Sequence, residues 1–166
     1  IANAYCSKYD EVVLITGVVE ETYAQLNSKI QVKYKIKYNR KKSISRIITW
    51  FVFYLQSMFY IVFHKNIGHA LFVTNPPMLP FLGSRLSGIK SFTFDVLVYD
   101  VYPDALANFG YINKHSLFFK WWDKMNKKTF NKAKRIITIS EVMKGVVCRT
   151  ASKKKIEVIY PWVDTS

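Results

Sequence analysis

The sequence predicts an α/β fold: a doubly wound, mostly parallel sheet with helices on both faces. Three runs carry that prediction. Leu71-Phe72-Val73-Thr74-Asn75-Pro76-Pro77, Leu97-Val98-Tyr99-Asp100-Val101-Tyr102-Pro103-Asp104 and Arg135-Ile136-Ile137-Thr138-Ile139-Ser140-Glu141 each start as an apolar strand and stop at polar loop residues. Strands that are apolar on both faces belong to parallel sheets, and open parallel sheets gather ligands at the carboxyl ends of their strands.

The elements follow in order. Ile1 to Tyr9 has the character of a helix end, and Glu11 to Thr16 is a short apolar run closed by Gly17, a buried strand. The chain is therefore expected to open in mid-fold, with its opening strand missing. Ile30 to Ile36 sets Ile30, Val32, Tyr34 and Ile36 against Gln31, Lys33 and Lys35, the period of two of a half-exposed strand near a sheet edge. Ser43 to Phe63 is too long and apolar for a strand and predicts a helix, with Ser43 or Ser45 as its cap. Ala70 to Thr74 and Phe92 to Tyr99 are strands, joined by a short helix over Leu79 to Ile89. His115 to Lys134 places Leu117, Phe118, Trp121, Trp122, Met125 and Phe130 at helical spacing, an amphipathic helix leading into the strand Arg135 to Ile139. Ser140 caps a further helix with Glu141 in its first turn, and Lys155 to Tyr160 is the last strand. Alternation of this kind implies right-handed crossovers.

A chain of 166 residues, half of them hydrophobic, is long enough for one domain with its own core, and a single domain over 1–166 is expected. The net charge of +14 calls for an anionic neighbour. Cys6 and Cys148 lack the dense spacing of a disulfide scaffold and the paired spacing of a zinc site, so a reducing compartment and no metal are expected. Residues 1 to 20 carry no basic start followed by an apolar block, so no secretory signal is visible and a cytoplasmic protein is expected.

The run from Ser43 to Phe63 approaches the roughly 20 residues that span a bilayer. Set on a helical wheel, Ser45, Arg46, Thr49, Gln56, Ser57 and His64 share one arc with Phe53 and Tyr60. A lipid-immersed span has no use for such a stripe; a helix that packs on protein and offers its remaining surface to a membrane interface does. Lys29, Lys33, Lys35, Lys37, Arg40, Lys41 and Lys42 precede it, and Lys33, Lys35, Arg40, Lys41 and Lys42 form the expected membrane surface. Nucleic acid is not the expected partner, because the aromatics fall on core-facing periodicities and do not interleave with the basic residues.

The strand tips carry the candidate chemistry. Asn75-Pro76-Pro77 is a rigid turn whose prolines donate no hydrogen bond, leaving the asparagine amide free to meet a ligand. Asp100 and Asp104 flank Val101-Tyr102-Pro103, and a carboxylate at a strand terminus in a cleft can take a proton from a sugar hydroxyl or orient it. Ser140 and Glu141 stand where a helix start points backbone amides at an anion such as a diphosphate. Each of the three also has an ordinary structural reading as a loop or a cap.

Together these runs resemble the amino-terminal half of GT-B glycosyltransferases of family 4, in particular the aminosugar and fucosamine transferases of bacterial surface polysaccharide synthesis. The resemblance lies in Asn75-Pro76-Pro77, Asp100-Val101-Tyr102-Pro103-Asp104, Ile139-Ser140-Glu141-Val142-Met143 and Val158-Ile159-Tyr160-Pro161-Trp162-Val163-Asp164, four motifs in the family's order covering almost the whole chain. It implies a Rossmann-like, acceptor-side domain working with a carboxyl-terminal domain, in cis or in trans, that holds most of a UDP- or GDP-sugar donor; no other cofactor is implied. The implied acceptor is a lipid-linked or glycan sugar at the inner face of the plasma membrane, with Asp100 as the catalytic candidate and Asn75, Pro76, Pro103, Asp104, Ser140 and Glu141 lining the cleft. The sequence stops at Ser166, where the family's donor domain with its paired glutamates begins, so the chain alone is expected to be inactive. The alternative is a non-catalytic membrane-recruitment subunit that brings a separate catalytic chain to the bilayer.

Overall fold

The computed structural model describes residues 1–19, 25–37, 43–151 and 156–160. The protein is α/β, with parallel sheets flanked by helices in a Rossmann-like arrangement, as the sequence predicts. Its chain divides into two compact units, Ile1–Tyr60 and Ile61–Ser166.

In the first unit, helix α1 (Ala2–Tyr5) precedes β1 (Val12–Thr16), which pairs in parallel with β2 (Ile30–Tyr34). The Asn3 side chain donates to Gln25 O and accepts from Asn27 N, fixing α1 to the approach to β2. A side chain at Gly17 would meet Ile36 O at 2.7 Å, so the close passage of the two strand ends requires glycine there. The expected strand to Ile36 ends earlier. Lys35 N still donates to Thr16 O, but Ile36 N turns to Gln56 Oε1 at 3.0 Å, and a side-chain acceptor on the following helix replaces the ladder.

That helix, α2, runs over Ser43–Phe63, the bounds its apolar run predicts. Part of its polar arc faces protein: Ser57 is buried and Gln56 holds Ile36 N, while the Arg46 guanidinium lies over the Trp50 ring one turn further along the same helix. Ile44, Ile47, Ile48, Phe51, Phe59, Val62 and Phe63 are exposed.

The second unit is built on a four-stranded parallel sheet of β3 (His69–Val73), β4 (Thr93–Val98), β5 (Arg135–Thr138) and β6 (Ile156–Val158), paired in that order. The helices are α3 (Pro80–Leu86), α4 (Asp104–Asn108), α5 (Leu117–Lys132) and α6 (Glu141–Cys148). Phe94, Val96, Val98 and Ile136 fill the core with Leu82 of α3, Trp122 and Phe130 of α5 and Val147 of α6. α3 presses on the sheet through Gly83, where an added Cβ would meet the Phe94 and Phe72 rings at 2.7 and 2.8 Å.

The structure adds one element and corrects one expectation. Pro103 stands in a turn and Asp104 opens the short helix α4, which the strand-and-turn pattern of the sequence does not announce and which Gly110 follows with a left-handed φ of 75°. The α5 aromatics were expected to face the core. Trp122 and Phe130 do, whereas Leu117, Phe118 and Trp121 occupy the other arc of the helix and are exposed.

Candidate functional site

Parallel pairing decides where the strand tips go. Val73 lies opposite Leu97 and Thr138 lies opposite both Val98 and Val158, so all four strands end on one edge of the sheet. The residues that follow, Thr74, Tyr99 with Asp100, and Ile139 with Ser140, succeed one another along that rim.

The first two tips are joined by one side chain. Thr74, 8% exposed, accepts from Tyr99 N at 3.0 Å and from Asp100 N at 3.1 Å through its Oγ1. The backbone of Asp100 is thereby held to the end of β3. Thr74, Pro77, Met78, Asp100, Tyr102 and Asn126 line a cleft floored by Trp122 and Phe130. Tyr102 stacks on Trp122 with ring centroids 5.8 Å apart, and Asn126 Nδ2 donates to Tyr102 O, so α5 fixes the far wall. Met78 adopts a left-handed φ of 68°, a conformation that costs a non-glycine residue of order 1 kcal/mol and is concentrated at ligand sites. The peptide bonds Asn75-Pro76 and Tyr102-Pro103 are both cis. The cleft encloses about 20 Å³, room for a water molecule and not for a sugar ring.

The predicted site residues divide into three groups. Asp100 lines the cleft; Asn75 and Pro76 belong to the turn that frames it, with Asn75 exposed. Pro103 is buried, outside the cleft lining, and precedes the first turn of α4, which contains Asp104. Ser140 and Glu141 stand at the next tip, outside the cleft lining. Ser140 Oγ accepts from Met143 N at 3.2 Å, the predicted cap, and exposed Glu141 pairs with Lys144. Of the lysines expected at a membrane surface, Lys33 is exposed and the Lys35 ammonium lies 5.7 Å from the Tyr60 ring centroid. Arg40, Lys41 and Lys42 lie outside the described residues, as do Pro161 to Asp164 of the last motif.

Sequence reasoning missed Thr74, Tyr102, Trp122 and Asn126 as parts of the cleft. The signal available was the β-branched hydroxyl that ends β3, a side chain suited to tying one strand end to the next. It also missed a buried charge cluster at the amino ends of the strands. Asp95 on β4 is fully buried, its Oδ2 accepting from Arg135 Nε at 2.9 Å and NH2 at 2.6 Å, with His69 Nε2 at 3.3 Å. Burial lowers the His69 pKa, against the opposing pull of Asp95, and its Nδ1 sits 2.8 Å from Thr93 Oγ1. The cluster lies across the sheet from the cleft and joins three strands. Among the described residues no three His, Cys, Asp or Glu side chains come together as a metal site requires.

Compared with models of known protein families and with the sequences of curated proteins, the chain matches none.

Proposed function

We propose that this chain is the acceptor-side half of a GT-B glycosyltransferase that moves a sugar from a nucleotide-diphosphate donor to a lipid-linked or glycan acceptor at a membrane. One observation carries the reading: the tips of a parallel sheet form a half-open cleft lined by Asp100, whose backbone amide is held by Thr74, with the capped start of α6 on the neighbouring tip. Open α/β sheets bind ligands at this edge.

In this reaction the acceptor hydroxyl oxygen forms a bond to the anomeric carbon of the donor sugar. The bond from that carbon to the diphosphate oxygen breaks, and the nucleoside diphosphate leaves with the electron pair. The hydroxyl proton passes to the carboxylate of Asp100, a residue of the cleft lining whose backbone Thr74 holds in place. Half-buried Tyr102, stacked on buried Trp122, gives the acceptor sugar an apolar surface beside the carboxylate. The donor half of the site belongs to a second domain, in cis or in trans. The exposed apolar face of α2 supports the membrane part of the reading, since part of its polar arc is already engaged with protein.

The test is transfer by this chain together with a donor-binding domain, assayed with a panel of nucleotide sugars and a polyprenyl-diphosphate sugar. Asp100→Asn is expected to lower transfer by roughly a hundredfold or more, the usual weight of a proton acceptor, with the urea unfolding midpoint unchanged. Wild-type turnover by the variant would remove Asp100 from the chemistry. If the chain binds vesicles but neither acceptor nor donor partner yields transfer, the recruitment subunit replaces the enzyme.

A further inference from the structure

We propose that the start of α5, together with the connection leading into it, is a docking surface for an anionic lipid bilayer. The surface was not legible in the helical period and is visible only in which residues the fold leaves outside. Leu117 is 84% exposed, Phe109 79% and Tyr111 73%, and Phe118 and Trp121 are exposed beside them. Leu117, Trp121, Lys124 and Lys128 recur at the three- and four-residue steps that make one stripe of a helix, apolar in its first turn and basic after it. Lys120 and Lys114 are also exposed. The one acid of α5, Asp123, lies on another arc and is held by Lys127 at 2.9 Å.

An apolar, aromatic tip followed by a lysine stripe matches the depth profile of a bilayer surface, where hydrocarbon takes the aliphatic and ring carbons and headgroup phosphates take the ammonium groups. Two other occupants fit less well. Nucleic acid needs open ring faces, but Trp121 is stacked on Phe118, with centroids 5.9 Å apart, and meets Phe81 edge-on. A second copy seated on the same patch would bring the lysines of both copies into one interface whose stripe holds no acid to pair them. Phe118 also packs edge-on against Trp122 of the cleft floor, so the docking surface adjoins the cleft. Docking would thus keep the cleft close to the headgroups, near a lipid-linked acceptor; this consequence rests on the glycosyltransferase reading, whereas the docking itself does not.

The experiment is co-sedimentation of the full chain with vesicles of phosphatidylcholine and phosphatidylglycerol, and with phosphatidylcholine alone. The variant Phe109→Ser/Leu117→Ser/Trp121→Ser is expected to lose on the order of tenfold or more of its partitioning into the anionic vesicles, since three large apolar side chains no longer leave water. Lys120→Glu/Lys124→Glu/Lys128→Glu replaces only exposed residues and is expected to show the same loss even if the first variant fails to fold. Partitioning of both variants equal to wild type would overturn the proposal. So would a wild-type dimer in sedimentation equilibrium that the first variant dissolves, or oligonucleotide binding that depends on the patch. Vesicle docking without any sugar transfer would leave this surface standing and sink the enzyme reading; transfer without docking would do the reverse.

Discussion

Thr74 is the residue on which the geometry of the cleft turns. Its hydroxyl oxygen is the acceptor for two consecutive part-buried amides, Tyr99 N and Asp100 N. Valine has the same shape and no acceptor, so Thr74→Val strands two donors at a cost of about 1–3 kcal/mol each. We expect that variant to lose about 2 kcal/mol or more of unfolding free energy in urea titration, and Thr74→Ser to recover most of it. A valine variant as stable as wild type would mean that water satisfies both amides. Asp95 makes the opposite point about what residues reveal in isolation. A lone acid inside the run Thr93 to Val98 gives no sign of its partner, because Arg135 stands 40 residues away in sequence and becomes adjacent only through the register of β4 and β5. The place of Asp100 at the strand tip was legible because its signal is local: a carboxylate where an apolar strand meets a proline turn.

At the scale of elements, legibility follows length and redundancy. The 21 residues of α2 and the Ser140 cap of α6 agree with their predicted places, since many apolar positions or one specific cap hydrogen bond fix them. The five residues of α4 were hidden behind Pro103, which signals a turn as readily as a helix start. Helical period also states that an apolar stripe exists without stating how much of it the neighbours cover, which is why the exposed arc of α5 needed coordinates. The buried cluster joining β3, β4 and β5 carries a pH dependence. Burial, the largest influence, lowers the His69 pKa below its ordinary 6.5, so the unfolded chain binds more protons than the folded one as pH falls through that value. The contribution is therefore fully present above about pH 6.5 and is lost on acidification. The urea midpoint is expected to drop between pH 7.5 and 5.5, and to drop less in His69→Gln, which keeps a polar side chain beside Thr93 without a titrating ring. Equal drops in the two proteins would show that other groups govern acid sensitivity.

For the whole molecule the dominant quantity is the charge of +14, which favours any polyanion in reach. Charge does not distinguish a bilayer from a nucleic acid; apolar surface does. α2 presents exposed isoleucine and phenylalanine side chains while Gln56 and Ser57 are turned toward protein, a surface that suits an apolar neighbour better than water. Basic residues then add long-range attraction, worth on the order of 1 kcal/mol for each lysine close to an anionic surface. Replacing Lys33, Lys41 and Lys42 with glutamate is therefore expected to weaken binding to anionic vesicles by roughly a hundredfold at low salt, three such increments taken together at about 1.4 kcal/mol per tenfold. The difference should shrink as salt is raised, because screening removes the Coulomb part and leaves the apolar part. Affinity for the vesicles that neither the substitutions nor salt alters would assign attachment to the apolar faces alone. Tight oligonucleotide binding that persists at moderate salt, with no vesicle binding, would replace the bilayer with nucleic acid as the partner of this charge.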